Sequence, residues 1–351
     1  MKKCFLKIVS AFVGLSAVAC VNEDVEQVSG RQEGFGHVNI NVLDADLISK
    51  AASSTTAQDY EKVVRNVQVL VFDENDLLIY YHDAGTSVSN ITLYVAEGRK
   101  DVWAVVNGPS LNSISTKNQM TEYAVGLDAY NDLTGSKGFL MTGHAEVSVS
   151  ALTPVTANIV AERLVSRVCL AKVTSRLPSA YQSLTVESVY LTNVVGNQNL
   201  SGTAAASVWY NKMGTSDGTR SKVIDGVTNM AELPSYTFDG TDKTLANGQM
   251  YAPGYRFYGF PNLVSKDVDG WSDPFTARMS RLVVTARIDG VLYYYPVVLD
   301  QKMERNKTYD IDLTIAGLGS TSPYEEIVKG SIYTNITVKN WEGGDVYVES
   351  I

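Results

Sequence analysis

The sequence predicts an all-β chain of antiparallel β-sandwiches with few short helices, and three observations carry that prediction. Apolar and polar residues alternate at period two through most of the chain, and Gly, Asn and Asp break the alternation at short intervals. Helical periodicity is confined to NQMTEYAVGLDAYNDL, residues 118–133. At 351 residues the chain is long enough for two cores, so two sandwiches are expected, at 37–160 and 161–330.

The first residues read as an address. MKKCFLKIVSAFVGLSAVAC places Lys2 and Lys3 before an apolar run too short to span a bilayer, and closes on Ala17-Val18-Ala19-Cys20. This is the pattern of a bacterial lipoprotein signal, residues 1–19. Small residues before the cleaved bond suit the peptidase, and acyl chains on Cys20 would hold the protein to a membrane. Ala17 stands where such signals usually carry Leu, and an ordinary secretory signal cut at the same small residues is the alternative. Residues 20–36, acidic and polar, read as a tether.

The whole chain has 29 Lys and Arg against 38 Asp and Glu, a net charge of −9, and loss of the three signal lysines brings it to −12. Without a basic run to follow a phosphate backbone, nucleic acid is not expected as a partner. Beyond Cys20 the exported chain has only Cys169, in the apolar run RLVSRVCLAKV, so it must hold together without an internal disulfide.

HVNINVL (37–43) is a half-buried strand, with Val38, Ile40 and Val42 inward and His37, Asn39 and Asn41 outward. DADLISKAASSTTAQDYEKVVR (44–65) follows, polar and poor in strand character, the kind of segment a protease cuts. Lys50 is the expected cleavage point and Arg65 the alternative; a cut at Arg65 would trim the turn into the next strand. NVQVLVFDENDLLIYYHD (66–83) reads as a hairpin about Asp73-Glu74-Asn75-Asp76, which lacks the spaced ligands of a calcium loop. Further strands are NITLYVAEG, DVWAVVNG, AEVSVSALTPVTANIV, RLVSRVCLAKV, SLTVESVYLTNVVG, RLVVTARIDGVLYYYPVVLD and KTYDIDLTIAGLG. Residues 196–249 read as loop-rich, and GFGHVN and GLGSTS as turns.

Catalytic signatures are absent from the sequence. His37, His82 and His144 sit in no HExxH or paired metal-ligand spacing, and no GxSxG or phosphate-binding loop occurs. No catalytic residue, metal or cofactor is therefore expected, and the chain does not read as an enzyme. The tyrosines of YYHD and VLYYYPVV suit strands as well as they suit sugar stacking.

The last segment, 331–351, is the oddest, because chain ends usually fray. In SIYTNITVKNW, Ile332, Thr334, Ile336 and Val338 alternate with Tyr333, Asn335, Thr337 and Lys339, at the period of the first strand. VYVESI offers a second short segment after Gly343-Gly344. If the first strand were cut free and lost, such a tail from another copy could fill its place by β-augmentation. Three buried aliphatic residues would supply about 5 to 9 kcal/mol.

The combination of the Cys20 signal, HVNINVL, VQVLVFDENDLL, VWAVVNG, ERLVSRVCLAKV, ERNKTYDIDLTIAGLGSTSP and ITVKNW, in that order, resembles the fimbrillin family of Bacteroidales, the subunits of their type V pili. The resemblance spans nearly the whole chain. It implies two transthyretin-like β-sandwich domains, export as a lipoprotein and removal of the first strand by a trypsin-like surface protease. It also implies polymerisation with other pilus subunits by strand exchange, at the cell surface, with the precursor anchored to the outer membrane. Family subunits are commonly cut after Arg, whereas the best match here is Lys50. A stalk role is favoured over a tip or anchor role, and the ligand of any adhesion is unidentified. A monomeric glycan-binding surface lipoprotein, with an intact N-terminus and the tail folded into its own domain, is the rival reading, and a hydrolase the weaker one.

Overall fold

The structure, a computed structural model, describes residues 34–44, 59–86, 91–130, 138–213, 220–224, 227–229, 236–237, 243–267, 278–300, 302–322, 327, 330–341 and 347–350. The first strands are β1 (Phe35–Asp44), β2 (Val67–Phe72), β3 (Leu78–Asp83), β4 (Ile91–Ala96), β5 (Gly98–Val106), β6 (Ala124–Gly126), β7 (Met141–Val149) and β8 (Val155–Arg163). All of these but β6 form one seven-stranded sheet in the order β3-β2-β5-β7-β8-β1-β4. After it come β9 (Ser166–Ser175), β10 (Leu184–Thr192), β11 (Val194–Val195), β12 (Asn197–Asn199), β13 (Val208–Met213), β14 (Arg220–Ile224), β15 (Val227–Asn229) and β16 (Tyr236–Thr237). The remainder are β17 (Lys243–Leu245), β18 (Met250–Tyr251), β19 (Tyr255–Gly259), β20 (Arg281–Ile288), β21 (Val291–Val298), β22 (Lys307–Ile315), β23 (Ile332–Asn340) and β24 (Tyr347–Ser350). A six-stranded sheet runs β18-β9-β22-β23-β24, with β19 also on β9, and a five-stranded sheet runs β16-β10-β20-β21, with β17 also on β10.

Alternation explains where each face goes. In β2, Val67, Val69 and Val71 join one apolar cluster and Leu70 and Phe72 another, so this strand is buried on both faces. Gln68 tolerates that burial because its amide is used: Nε2 donates to the Pro109 carbonyl at 2.8 Å, and Oε1 accepts from the Leu111 amide at 2.9 Å. The first cluster is made wholly within the seven-stranded sheet, from β1, β2, β4, β5, β7 and β8. The second starts at Leu70, Phe72, Trp103 and Phe139 and continues through β9, β10, β20 and β22 to Trp341.

The turns follow local chemistry. At the expected hairpin, Asp73 Oδ1 accepts from the amides of Asn75 and Leu77, each at 2.9 Å, and Asp76 takes a φ of 60°. Between β20 and β21, Asp289 and Gly290 have φ of 48° and 86°, the left-handed pair that a two-residue hairpin turn needs.

Three sequence expectations are corrected. The 118–133 segment is not one helix: a short helix, Lys117–Thr121, with a Thr116–Gln119 capping box, gives way to β6, which pairs with β12, and then to a single turn at Leu127–Tyr130. Pairing of Val125 with Gln198 overrides the helical pattern. Residues 196–249, read as loop, include a meander of β13, β14 and β15, and Trp209 and Tyr210 there are buried. GFGHVN is not a turn, because Gly36 lies inside β1.

Candidate functional site

The candidate site is the slot that β1 occupies. β1 is interior to its sheet, parallel to β8 from Val38↔Val155 to Asp44↔Ala161 and antiparallel to β4 from Phe35↔Ala96 to Ile40↔Ile91. Val38 and Ile40 are fully buried and Val42 nearly so, against Leu93, Ala157, Ile159 and Ala161 of the flanking strands. The three residues expected to face inward do so. The outer face is polar: Thr92 Oγ1 donates to Asn39 Oδ1 at 2.9 Å, and Asn41 Nδ2 donates to Asn158 Oδ1 at 3.0 Å. Toward its start, Phe35 and His37 lie against Tyr94 at 5.5 and 5.0 Å between ring centroids.

Downstream of the polar stretch, the chain is pinned by a side chain that the sequence reading passed over. Glu61, in a short 3-10 helix at Asp59–Lys62, is fully buried. Arg167 of β9 donates to it from Nη1, at 3.1 Å to Oε1 and 2.8 Å to Oε2, and Tyr258 of β19 donates its hydroxyl to Oε1 at 2.7 Å. Arg163 Nη2 donates to the Glu61 carbonyl at 2.9 Å, and Arg167 Nε donates to Thr308 Oγ1 at 3.0 Å. Charge-assisted bonds in a buried setting are strong, and they compensate the cost of desolvating the ions. Burial, followed by the adjacent Glu61 carboxylate, pushes the Tyr258 hydroxyl far above its ordinary range, so it is a donor at any physiological pH.

Trp341, at the end of β23, completes this cluster. The guanidinium carbons of Arg163 and Arg167 each lie 4.9 Å from its ring centroid, and Tyr258 stacks on it at 5.7 Å and 14°. The segment after the expected cleavage point, the junction of β8 and β9, and the root of the C-terminal tail therefore meet at one place. No motif marks Glu61; the only available signal was an acidic residue inside YEKVV, where Tyr60 and Val63 hint at a buried turn.

The other expected site residues fall as follows. Cys20 and Lys50 lie outside the described residues. Arg65 has an exposed side chain, but its amide donates to Asn107 Oδ1 at 2.8 Å, and Asn107 Nδ2 donates to the Val63 carbonyl at 2.7 Å, so the backbone around it is held. Ile332, Thr334, Ile336 and Val338 are in β23, which pairs along its length with β22 and, at Asn335–Val338, with β24. Of these four, Ile336 is buried and the others partly so. The slot of β1 and this tail are thus both filled from within the same chain.

Among the described residues, no side chains gather into catalytic geometry. His37, His82 and His144 are exposed, and His144 lies against Asp101 and Trp103. Cys169 is buried, and desolvation pushes its thiol up to about 11, which removes thiolate character at neutral pH. Among the described residues, no group of three or more His, Cys, Asp or Glu is placed to hold a metal, and no helix is long and apolar enough to cross a membrane.

Comparison with known proteins bears on this slot directly. Residues 37–161, from within β1 to within β8, match the family model of the major fimbrial subunit protein (FimA). A search of curated proteins finds no match. Among solved structures, the chain is similar to a candidate cell adhesion protein from Bacteroides eggerthii, at 18% identity, covering 89% of this chain and 98% of that one with a TM-score of 0.62. It is similar to a fimbrilin from Porphyromonas gingivalis, at 16% identity, with coverage of 88% and 98% and a TM-score of 0.59. The tip fimbrial protein Mfa3 of the same organism, with a C-terminal truncation, gives 16% identity, coverage of 88% and 100%, and a TM-score of 0.53. These identities show a shared β-sandwich fold. Over residues 37–161 the chain is therefore similar to the major fimbrial subunit family, and over most of its length it shares the fold of these solved structures.

Proposed function

We propose that the protein is a structural subunit of a cell-surface fimbria, exported as a lipoprotein through Cys20, cut after Lys50 by a trypsin-like protease, and polymerised when the slot of β1 receives the C-terminal segment, 331–351, of another copy. One observation carries the reading: β1 is an interior strand whose apolar residues fill the core, and the described chain downstream of it is pinned at Glu61, beyond the expected cut. A cut at Lys50 leaves β1 held by pairing alone, with the downstream chain still anchored. A cut at Arg65 would instead leave Glu61 on the released side, bound to Arg167 and Tyr258, which favours Lys50.

Loss of β1 would open a groove between β8 and β4 with unpaired backbone on both walls and apolar pockets at its floor. A strand from a second copy satisfies both, and a head-to-tail contact of this kind, which does not close on itself, grows into a fibre.

The test is the N-terminal sequence and intact mass of the protein before and after mild trypsin, with a native gel of both samples. A new terminus at Ala51 and a ladder of oligomers is the expected result. A monomer that trypsin leaves unchanged would overturn the reading in favour of a surface lipoprotein that does not polymerise.

A further inference from the structure

The slot of β1 carries a register mark. A Cβ at Gly36 would meet the Ser150 carbonyl oxygen at 2.2 Å, the Ser150 carbonyl carbon at 2.8 Å and Val149 Cγ1 at 2.8 Å. The first two belong to the main chain at the turn from β7 to β8, so a side chain cannot be accommodated by a rotamer change. A strand that takes this place therefore needs glycine at one fixed position. Two, four and six residues later come Val38, Ile40 and Val42, the buried positions. Because β1 runs parallel to β8, the slot reads Gly-x-apolar-x-apolar-x from its Ser150 end.

The C-terminal segment presents that order twice. Gly330-Ser-Ile332-Tyr-Thr334-Asn-Ile336 would set Thr334, with its hydroxyl, at the fully buried place of Ile40. Gly344-Asp-Val346-Tyr-Val348-Glu-Ser350 sets valines at the places of Val38 and Ile40, and leaves the hydroxyl of Ser350 at the rim position of Val42, the least buried of the three. The two segments are also differently committed. β23 makes nine register pairs with β22, carries buried Ile336 and ends on Trp341 in the arginine cluster. Among the described residues, β24 is an edge strand with four register pairs, all to β23.

Resting on the strand-exchange reading above, we infer that the occupant of the slot is Gly344–Ile351 of a second copy of this chain, running in the direction of β1. Gly344 takes the place of Gly36, Val346 that of Val38, Val348 that of Ile40 and Ser350 that of Val42. β23 and Trp341 stay in their own subunit, and Trp341 is the fixed point from which the donated segment extends. On the outer face, Tyr347 comes beside Thr92 and Glu349 beside Asn158, both exposed positions that accept polar groups.

The experiment uses full-length chains after trypsin, when Cys169, buried, is the remaining native cysteine beyond the cut. Ala157 is the β8 neighbour of Ile40. Mixing the single variants Ala157→Cys and Val348→Cys should give a disulfide-linked dimer that neither variant gives alone, and Gly344→Val should reduce the oligomer ladder at least tenfold while the cleaved monomer keeps its fold by circular dichroism. A disulfide from Thr334→Cys with Ala157→Cys in place of the Val348→Cys product would overturn the inference and leave strand exchange standing, as would a full ladder from Gly344→Val. A wild-type chain that is cleaved yet forms no ladder would overturn strand exchange itself, and this inference with it.

Discussion

β1 and β9 hold equivalent places in their sheets and are retained by different physics. Each runs parallel to a later strand, β1 to β8 and β9 to β22, among ladders that are otherwise antiparallel in the described residues. β1 buries one face through Val38, Ile40 and Val42, and its polar ties are exposed side-chain contacts. β9 is buried on both faces over Ser166–Leu170, and Arg167 locks it to Glu61, Thr308 and Trp341. Hydrophobic contact is non-directional, so any strand of the right pattern can replace β1. A buried ion pair accepts only its own partner, since removal of one member strands a charge. The difference teaches that how firmly a strand is held in this fold depends on which side chains hold it, and not on how deep in a sheet it lies.

The largest expected effect comes from breaking the lock on β9. Glu61→Ala should lower unfolding free energy by about 3 to 5 kcal/mol, because Arg167 is left buried without its carboxylate, while the double change Glu61→Leu/Arg167→Met should cost clearly less than the single one. Urea titration of the three chains measures this, and a shift under 1 kcal/mol for Glu61→Ala would remove the contrast drawn here.

Next come matched cavities in the two strands. Ile40→Ala in β1 and Leu170→Ala in β9 should each destabilise by about 2 to 5 kcal/mol. After cleavage at Lys50, however, only Ile40→Ala should speed loss of the N-terminal peptide, followed by mass spectrometry over time. Equal peptide release from both variants would mean that β1 is not held by its own side chains.

A smaller effect is expected from acid. Burial raises the pKa of Asp101 in β5, but the adjacent Lys117 ammonium, at 2.7 Å, and the contact with His144 outweigh it, and the carboxyl is held below its ordinary value. A depressed carboxylate contributes stability that is whole above its unfolded pKa of about 4 and is lost as pH falls through the folded value. Asp101→Asn should therefore flatten the fall in stability below about pH 4 and leave the Glu61 cluster untouched; an unchanged acid limb would contradict this. Least of all, Arg99→Ala should change stability by less than about 1 kcal/mol, because its pair with Glu146 is exposed on both sides.

How much of this was legible varied with the range of the interaction responsible. Asp73-Glu74-Asn75-Asp76 announced its hairpin because Asp73 bonds amides two and four residues on. Val38, Ile40 and Val42 announced the inner face of β1 through their spacing alone. Glu61 was hidden within a stretch that reads as polar linker, since its partners Arg167 and Tyr258 are 106 and 197 residues away. Gly36 looked like a turn glycine because its constraint, the Ser150 carbonyl, belongs to another strand pair.

By itself, the sequence determined the all-β class, the alternation of β1 and of the tail, the Asp73–Asp76 hairpin and the absence of catalytic motifs, because period-two spacing and turn chemistry act over a few residues. Only the tertiary structure decided that β1 enters its sheet parallel to β8, that Glu61 joins the segment before β2 to the root of the tail, and that Gly36 sits where a Cβ would meet the Ser150 carbonyl. Those features arise from strands and side chains far apart in the chain, and local pattern carries no information about which distant backbone will lie 2.2 Å from a missing Cβ.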